Sequence, residues 1–273
     1  MGDGPRWRGI ALDAETALVL LEWQAEMGAD DPVGDSPVDR FALAARSEAA
    51  AVPPHPPPAA PALILQAGED LADRVAQAEC LAASAATLDD LAAAQQGWDG
   101  IELKKGARNF CFADGNPKAR VLILGEAPGD EEDRQGRPFV GRSGQLLDRM
   151  FDAIGLSRRA ADAERALYIT NVLTWRPPGN RDPQPDEMAM SLPFLRRHIE
   201  LAGPDLIVLM GNIACEAGLG RRGILRLRGT WAEAFGRPAL PMTHPAYLLR
   251  NPPAKREAWA DLLSISARLD GSA

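Results

Sequence analysis

The chain has 273 residues and a hydrophobic content of 46%, enough for one large α/β domain with an appendage. This composition excludes global disorder, and no apolar run reaches the ~18 residues needed to cross a bilayer. Residues 1–100 contain 17 acidic and 5 basic residues, whereas the remainder contains 21 and 25. The net charge of −8 therefore does not exclude nucleic-acid binding by the basic remainder.

The cysteines and the amino-terminus indicate the compartment. Cys80, Cys111 and Cys215 are widely scattered, which fits neither a disulfide framework nor a zinc site. The amino-terminus lacks the basic region and long apolar core of a secretory signal. We therefore expect a cytoplasmic protein without a membrane segment, and we expect it to be a monomer.

The chain is predicted to have three parts. Residues 1–50 form a helical extension, because the stretch 12–28 favours a helix and begins at a candidate N-cap, Asp13. Residues 51–62 contain six prolines and form an extended linker. Residues 63–273 form the main domain. The extension either docks on this domain or binds a protein partner.

After an Ala-rich helical stretch, 67–97, the main domain alternates strands and helices. We expect strands at 121–125, 167–172, 205–211 and 239–245, and helices at 144–154, 186–202 and 254–269. Pro193 is expected to kink or divide the second of these helices. This order predicts an α/β three-layer sandwich with a central, mainly parallel sheet of about four strands flanked by helices. In such sheets ligands bind beyond the carboxyl ends of the strands.

The segment that follows the first strand, GEAPGDEEDRQGRPFVGRSG (125–144), is glycine-rich and acidic. It lacks the lysine of a P-loop and the spacing of a dinucleotide fingerprint. Its carboxylates suit a divalent cation, which leaves open a magnesium-dependent nucleotide hydrolase. The alternative is that at least part of 130–133 is a charged turn facing water.

Three motifs in order carry a more specific signal: GEAPGDEEDRQGRPFVGRSGQLL, YITNVLTWRPPGNRDP and HPAYLLR. Over residues 95–269 the chain resembles the uracil-DNA glycosylase superfamily, most closely family 4. The resemblance implies a monofunctional enzyme of base excision repair. Such an enzyme flips uracil out of DNA and hydrolyses its N-glycosidic bond without cutting the strand.

The resemblance also implies the residues of the base pocket. Phe139 would stack on the flipped base, and Asn171 would read its edge through one acceptor and two donors. The backbone around Gly125 and Ala127 would face uracil O2. His244 would stabilise the negative charge that develops on O2.

The group that activates water is left open. Ala127 occupies the position where the best-studied family of the superfamily has an aspartate, and family 4 also lacks that aspartate. Glu132 is the first candidate, because it looks equivalent to a glutamate used in family 4. Glu126 and Asn180 come next.

Contacts to DNA are expected on either side of the pocket. Arg142, Ser143 and the start of the helix behind them would bind a backbone phosphate. Leu248 and Leu249 would wedge into the minor groove, and Arg250 would contact phosphate.

The chain departs from family 4 at the four cysteines that usually hold an iron–sulfur cluster. The corresponding positions are Trp98, Ile101, Trp175 and Ser191. Because such clusters need thiolate ligands, we expect no cluster, no metal, and apolar core in its place. Loss of the cluster and the acidic extension leave an alternative function, a uracil- or abasic-DNA-binding protein with weak or no turnover.

Overall fold

The computed structural model describes residues 6–7, 10–11 and 61–271, with side chains from residue 70 onward. The chain divides into two compact units, 1–59 and 60–273. In the first, Arg6–Trp7 (β1) pairs antiparallel with Ile10–Ala11 (β2). The predicted helix 12–28 and residues 51–60 of the linker lie outside the described residues. The three-part domain division therefore stays a prediction.

The second unit opens with three helices, Pro61–Ser84 (α1), Leu88–Gly97 (α2) and Leu103–Gly106 (α3). A capping box starts α2, because Thr87 Oγ1 accepts from the Asp90 N–H at 3.1 Å and the Asp90 carboxylate accepts from the Thr87 N–H at 3.0 Å. The Ala-rich stretch is therefore helical, as predicted, but it is interrupted before this cap.

The central sheet has six strands: Asp114–Gly115 (β3), Val121–Gly125 (β4), Leu167–Asn171 (β5), Leu206–Met210 (β6), Ala232–Ala234 (β7) and Arg237–Met242 (β8). Their order is β3-β5-β4-β6-β8-β7, and β4, β5, β6 and β8 are parallel. The predicted parallel sheet is confirmed. The two added strands are short antiparallel edges that pair with β5 and β8. They were missed because two or three residues are too few to show a period.

Seven α-helices follow β4 in the chain, either between successive strands or after β8: Asp130–Gln135 (α4), Arg142–Asp152 (α5), Pro185–Ala202 (α6), Asn212–Leu219 (α7), Ile224–Leu227 (α8), Pro245–Arg250 (α9) and Lys255–Asp270 (α10). One buried cluster joins the sheet to α5, α9 and α10, and another joins it to α6 and α7. These clusters give the layered sandwich.

Two details of the helices bear on the predictions. The helix α6 runs as one element through Pro193, and burial of Met190 and Phe194 on either side holds it to the core. None of the helices in the described part of the chain is long and apolar enough to cross a membrane.

The register brings the carboxyl ends of the parallel strands to one edge of the sheet. Gly125 pairs with Asn171, and Met210 pairs with Met242. The motifs that follow these strands therefore meet at this edge, where a ligand site is expected in an α/β sheet.

Candidate active site

A cavity of about 580 Å³ lies beyond the carboxyl ends of β4, β5, β6 and β8. Its wall includes nine of the residues predicted from the sequence: Glu126, Ala127, Glu132, Phe139, Ser143, Asn171, Asn180, His244 and Arg250. The fold therefore brings the three separated motifs together around one space.

Gly125, Phe139 and Asn171 form the innermost wall. A β-carbon on Gly125 would lie 2.2 Å from Asn171 Oδ1 and 2.4 Å from Cε2 of Phe139, so only glycine fits between them. The Asn171 side chain is 3% exposed, and neither its oxygen nor its nitrogen has a hydrogen-bond partner in the described part of the chain. Buried amides are normally bonded, so this one is set to meet a ligand.

His244 lies beside Phe139, with ring centroids 5.3 Å apart and planes inclined by 30°. It is also the N-cap of α9, because its Nδ1 accepts from the Ala246 N–H at 3.2 Å. Burial, assisted by the charge of Arg250 and opposed by Glu132, lowers the pKa of His244 to about 4. At neutral pH the ring is therefore uncharged, and with Nδ1 accepting, Nε2 carries the proton and can donate.

The Glu126 carboxylate lies in this wall and has no hydrogen-bond partner among the described residues. Burial raises its pKa to about 6, with a further rise from the charge of Asp182 and a smaller opposing effect of Arg222. A carboxyl group with such a pKa is mostly ionised at pH 7, and its carboxylate can accept a proton from water.

Glu132, the first candidate for that role, is already engaged with backbone. One carboxylate oxygen accepts from the N–H groups of Val140 and Gly141, both at 2.9 Å, and the other from Gly129 at 3.2 Å. Three donors take three of the roughly four lone-pair sites of this carboxylate, which leaves little capacity to bind and deprotonate water. The geometry favours Glu126 over Glu132 for water activation.

The other acids of the turn serve the structure. Asp133 accepts from the backbone N–H groups of Arg108 and Asn109, at 2.8 and 3.1 Å. Asp130 accepts a hydrogen bond from the Arg176 guanidinium at 2.9 Å, and the same arginine donates to the side-chain oxygen of Asn180 at 2.8 Å. Within the described ranges no three His, Cys, Asp or Glu side chains are grouped to hold a metal ion.

Asn180 lies at the rim of the cavity rather than in its depth. Its residue is exposed and has a left-handed backbone with φ of 54°. Because its side-chain oxygen is bonded to Arg176, its amide is less suited than Glu126 to orient water.

The predicted DNA contacts are only partly at the surface. Arg142 and Arg250 are exposed, and neither pairs with a carboxylate among the residues that the structure describes. Leu249 is half-buried, but Leu248 is 0% exposed and belongs to the core. Of the two leucines expected to enter the minor groove, only Leu249 therefore reaches the surface, because α9 turns Leu248 into the core.

The positions of the missing cluster ligands are packed with apolar side chains. Ile101 and Trp175 are 5% and 6% exposed and share one buried cluster with Leu103 and Leu173, against which Trp98 packs. Ser191 is also buried. It lies on α6 next to Met190, which belongs to the same cluster.

The three cysteines do not replace the missing ligands. Cys80 is exposed on α1, and Cys215 is buried in the cluster that joins the sheet to α6 and α7. The Cys111 thiol donates to the Glu132 carbonyl, and burial with nearby Asp133 and Glu132 raises its pKa to about 12. A thiol with this pKa is a poor source of thiolate, so these residues do not fit an iron–sulfur cluster.

Among the residues of the wall that were not singled out from the sequence, Asp182 and Thr243 carry polar groups that bear on the site. Asp182 belongs to the motif after β5, and its charge contributes to the raised pKa of Glu126. Thr243 precedes His244, is 1% exposed, and its hydroxyl has no partner in the described part of the chain. Adjacency to the motifs was the only signal for either residue.

Comparison with known proteins gives a consistent result. Residues 112–263 match the family model of the uracil DNA glycosylase superfamily. The chain is 40% identical over 146 residues to the type-4 uracil-DNA glycosylase of Thermotoga maritima, covering 52% of this chain and 73% of the relative. It is 36% identical over 188 residues to that of Archaeoglobus fulgidus, covering 66% and 92%. A type-5 enzyme of Thermus thermophilus is 34% identical over 120 residues, covering 40% and 54%. The chain therefore belongs to the uracil-DNA glycosylase superfamily, with type-4 enzymes among its relatives.

Proposed function

We propose that the chain is a monofunctional uracil-DNA glycosylase that flips uracil out of DNA and hydrolyses its N-glycosidic bond. The observation that carries this proposal is the Asn171 amide, buried without a partner between Gly125 and Phe139. A flipped uracil would supply the missing hydrogen bonds and the stacking partner together.

Asn171 explains a preference for uracil over cytosine. Its Oδ1 can accept from uracil N3–H, and its Nδ2 can donate to O4. Cytosine presents an acceptor and a donor in reversed order, which would leave buried polar groups unpaired. Each such group costs about 1–3 kcal/mol, so cytosine is rejected.

His244 and Glu126 divide the chemistry. When the bond between C1′ and N1 breaks, its electron pair passes into the uracil ring and places negative charge on O2. The neutral His244 donates from Nε2 to O2 and so lowers the energy of the leaving anion. Glu126 accepts a proton as the water oxygen bonds to C1′.

The surroundings of the cavity fit hydrolysis without strand cleavage. None of the described residues that line it is a lysine, the side chain that would form a Schiff base with the sugar. Arg142 and Arg250 flank the cavity as exposed cations that can bind backbone phosphates, and Leu249 can occupy the space of the flipped base.

We further propose that the enzyme works without an iron–sulfur cluster. The apolar packing of Trp98, Ile101 and Trp175 supports this, because it supplies the core that the cluster would otherwise occupy.

Release of free uracil tests the function. Labelled oligonucleotides carrying U·G, U·A or single-stranded uracil are incubated with the protein in the presence of a chelator. We expect free uracil and strands that break only after alkali treatment. Asn171→Ala should lose at least tenfold in rate. Asn116→Ala should not change it, because this half-buried residue lies beside Leu167 at the other end of β5.

The same assay separates the alternatives. Tight binding of uracil or abasic DNA without release would indicate the binding protein instead. Activity lost in chelator and restored by magnesium would indicate the nucleotide hydrolase. The uncharged His244 at the cavity wall favours the enzyme, because a protein that only binds has no need of a donor aimed at a leaving anion.

A further inference from the structure

Phe139 has a backbone conformation that its residue type disfavours. Its φ is 53°, in the left-handed region that side chains with a β-carbon rarely adopt, and it is 5% exposed. Such a conformation persists only where neighbouring groups hold it in place.

Arg158 holds the carbonyl side of this segment. Its guanidinium donates to the carbonyls of Pro138 at 3.1 Å and Phe139 at 2.9 Å. It is itself fixed by Asp148 at 2.7 Å and Asp114 at 3.0 Å, and only 8% of its side chain is exposed. A planar guanidinium with five donors can meet four acceptors at once, which lysine cannot.

Glu132 holds the N–H side of the same segment. Its carboxylate accepts from Val140 and Gly141, both at 2.9 Å. The peptide group between Phe139 and Val140 therefore has its oxygen bonded to Arg158 and its N–H bonded to Glu132. These opposed charge-assisted bonds fix the plane of that peptide.

Gly144 closes the arrangement from the side of α5. A β-carbon there would lie 1.8 Å from the Phe139 carbonyl oxygen, so the helix packs directly on this peptide. In this arrangement the ring of Phe139 lies beside His244 and Gly125.

We propose that Arg158 and Glu132 are a positioning pair that fixes the Phe139 ring for stacking on the flipped base. The proposal rests on the proposed function and deepens it, because it gives Glu132 a role other than catalysis. Neither residue of the pair touches the reacting atoms; both act through Phe139.

A double-mutant cycle tests the pair. Single-turnover rates are measured at saturating enzyme on uracil-containing single strands for wild type, Arg158→Lys, Phe139→Leu and the combined variant. We expect Arg158→Lys to lose about tenfold when Phe139 is present and less than about twofold when it is leucine. Affinity of Arg158→Lys for abasic product should stay within about twofold, because neither Arg142 nor Arg250 is a hydrogen-bond partner of Arg158.

Arg120 offers a matched control. It donates to Asp205 at 2.6 Å and to Glu164 at 2.8 Å, at the opposite end of β4 from the cavity. Arg120→Lys should leave the rate unchanged in both backgrounds.

The outcomes are separable. An equal loss from Arg158→Lys in both backgrounds would overturn the positioning role. If Arg158→Lys does not fold, Glu132→Gln is read by the same criteria; failure of both to fold would also overturn it, because the pair would then support the domain rather than the ring. Absence of uracil release by wild type would instead refute the proposed function.

Discussion

Gly125 and Asn171 lie opposite each other at the ends of β4 and β5, and the space between them admits no β-carbon. This relationship joins the first two motifs of the sequence. It also places the Asn171 amide directly beside the glycine, where no larger residue fits.

Substitution of Gly125 by alanine should damage the pocket. The new methyl group would displace the Asn171 amide and the Phe139 ring, and we expect about a 100-fold loss of single-turnover rate with a loss of about 1–3 kcal/mol of unfolding free energy. Gly97→Ala is the control, since nothing lies within 4 Å of its β-carbon position. Wild-type rate in Gly125→Ala would contradict the assigned geometry.

The pH dependence of the rate should reveal Glu126. Because the pKa of Glu126 is raised to about 6, the carboxylate is protonated below that pH and cannot accept a proton from water. The rate should therefore rise with pH around a midpoint near 6 in wild type. In Glu126→Gln it should be low and flat between pH 5 and 8. If the rate of Glu126→Gln rises with pH in the same way, the rise belongs to another titrating group.

Stability should respond to the same substitution in a definite direction. A carboxyl whose folded pKa exceeds its ordinary value costs stability once it ionises, so the cost appears as the pH rises from about 4.5 through 6. Glu126→Gln should thus raise the melting temperature at pH 8 but not at pH 4.5. Equal shifts at both values would show that ionisation is not the cause.

His244 combines two roles that can be separated by substitution. His244→Ala removes the donor to O2 and the cap of α9, and should lose about 100- to 1,000-fold in rate and about 1 kcal/mol in unfolding free energy. His244→Asn retains a capping acceptor, so it should lose the rate but keep the stability. Chemical denaturation and single-turnover assays measure the two effects. A stable, active His244→Ala would refute both roles.

The absence of a cluster is tested on protein purified without oxygen. We expect well under one iron and one sulfide per chain, because the corresponding positions hold no thiol. Trp175→Ala should cost about 3–5 kcal/mol of unfolding free energy, as expected of a large buried side chain. About four irons per chain would overturn the proposal.

The sequence by itself determined the parallel sheet and the place of the cavity. The apolar runs at β4 and β6 predicted strands, because strands buried on both faces need uninterrupted hydrophobic residues. The motifs that follow these strands could be expected to form one site, because the carboxyl ends of parallel strands lie at the same edge of the sheet. The roles of Phe139, Asn171 and His244, by contrast, came from the resemblance to family 4 of the uracil-DNA glycosylases.

Only the tertiary structure decided how the individual charges are used. Glu126 and Glu132 are six residues apart in one acidic turn, and composition cannot distinguish them. In the fold, Glu132 meets three backbone N–H groups whereas Glu126 meets none. Arg158 was not predicted, because its four acceptors come from three separate segments of the chain. Long-range hydrogen bonds depend on how those segments pack together, and no local sequence pattern predicts that packing.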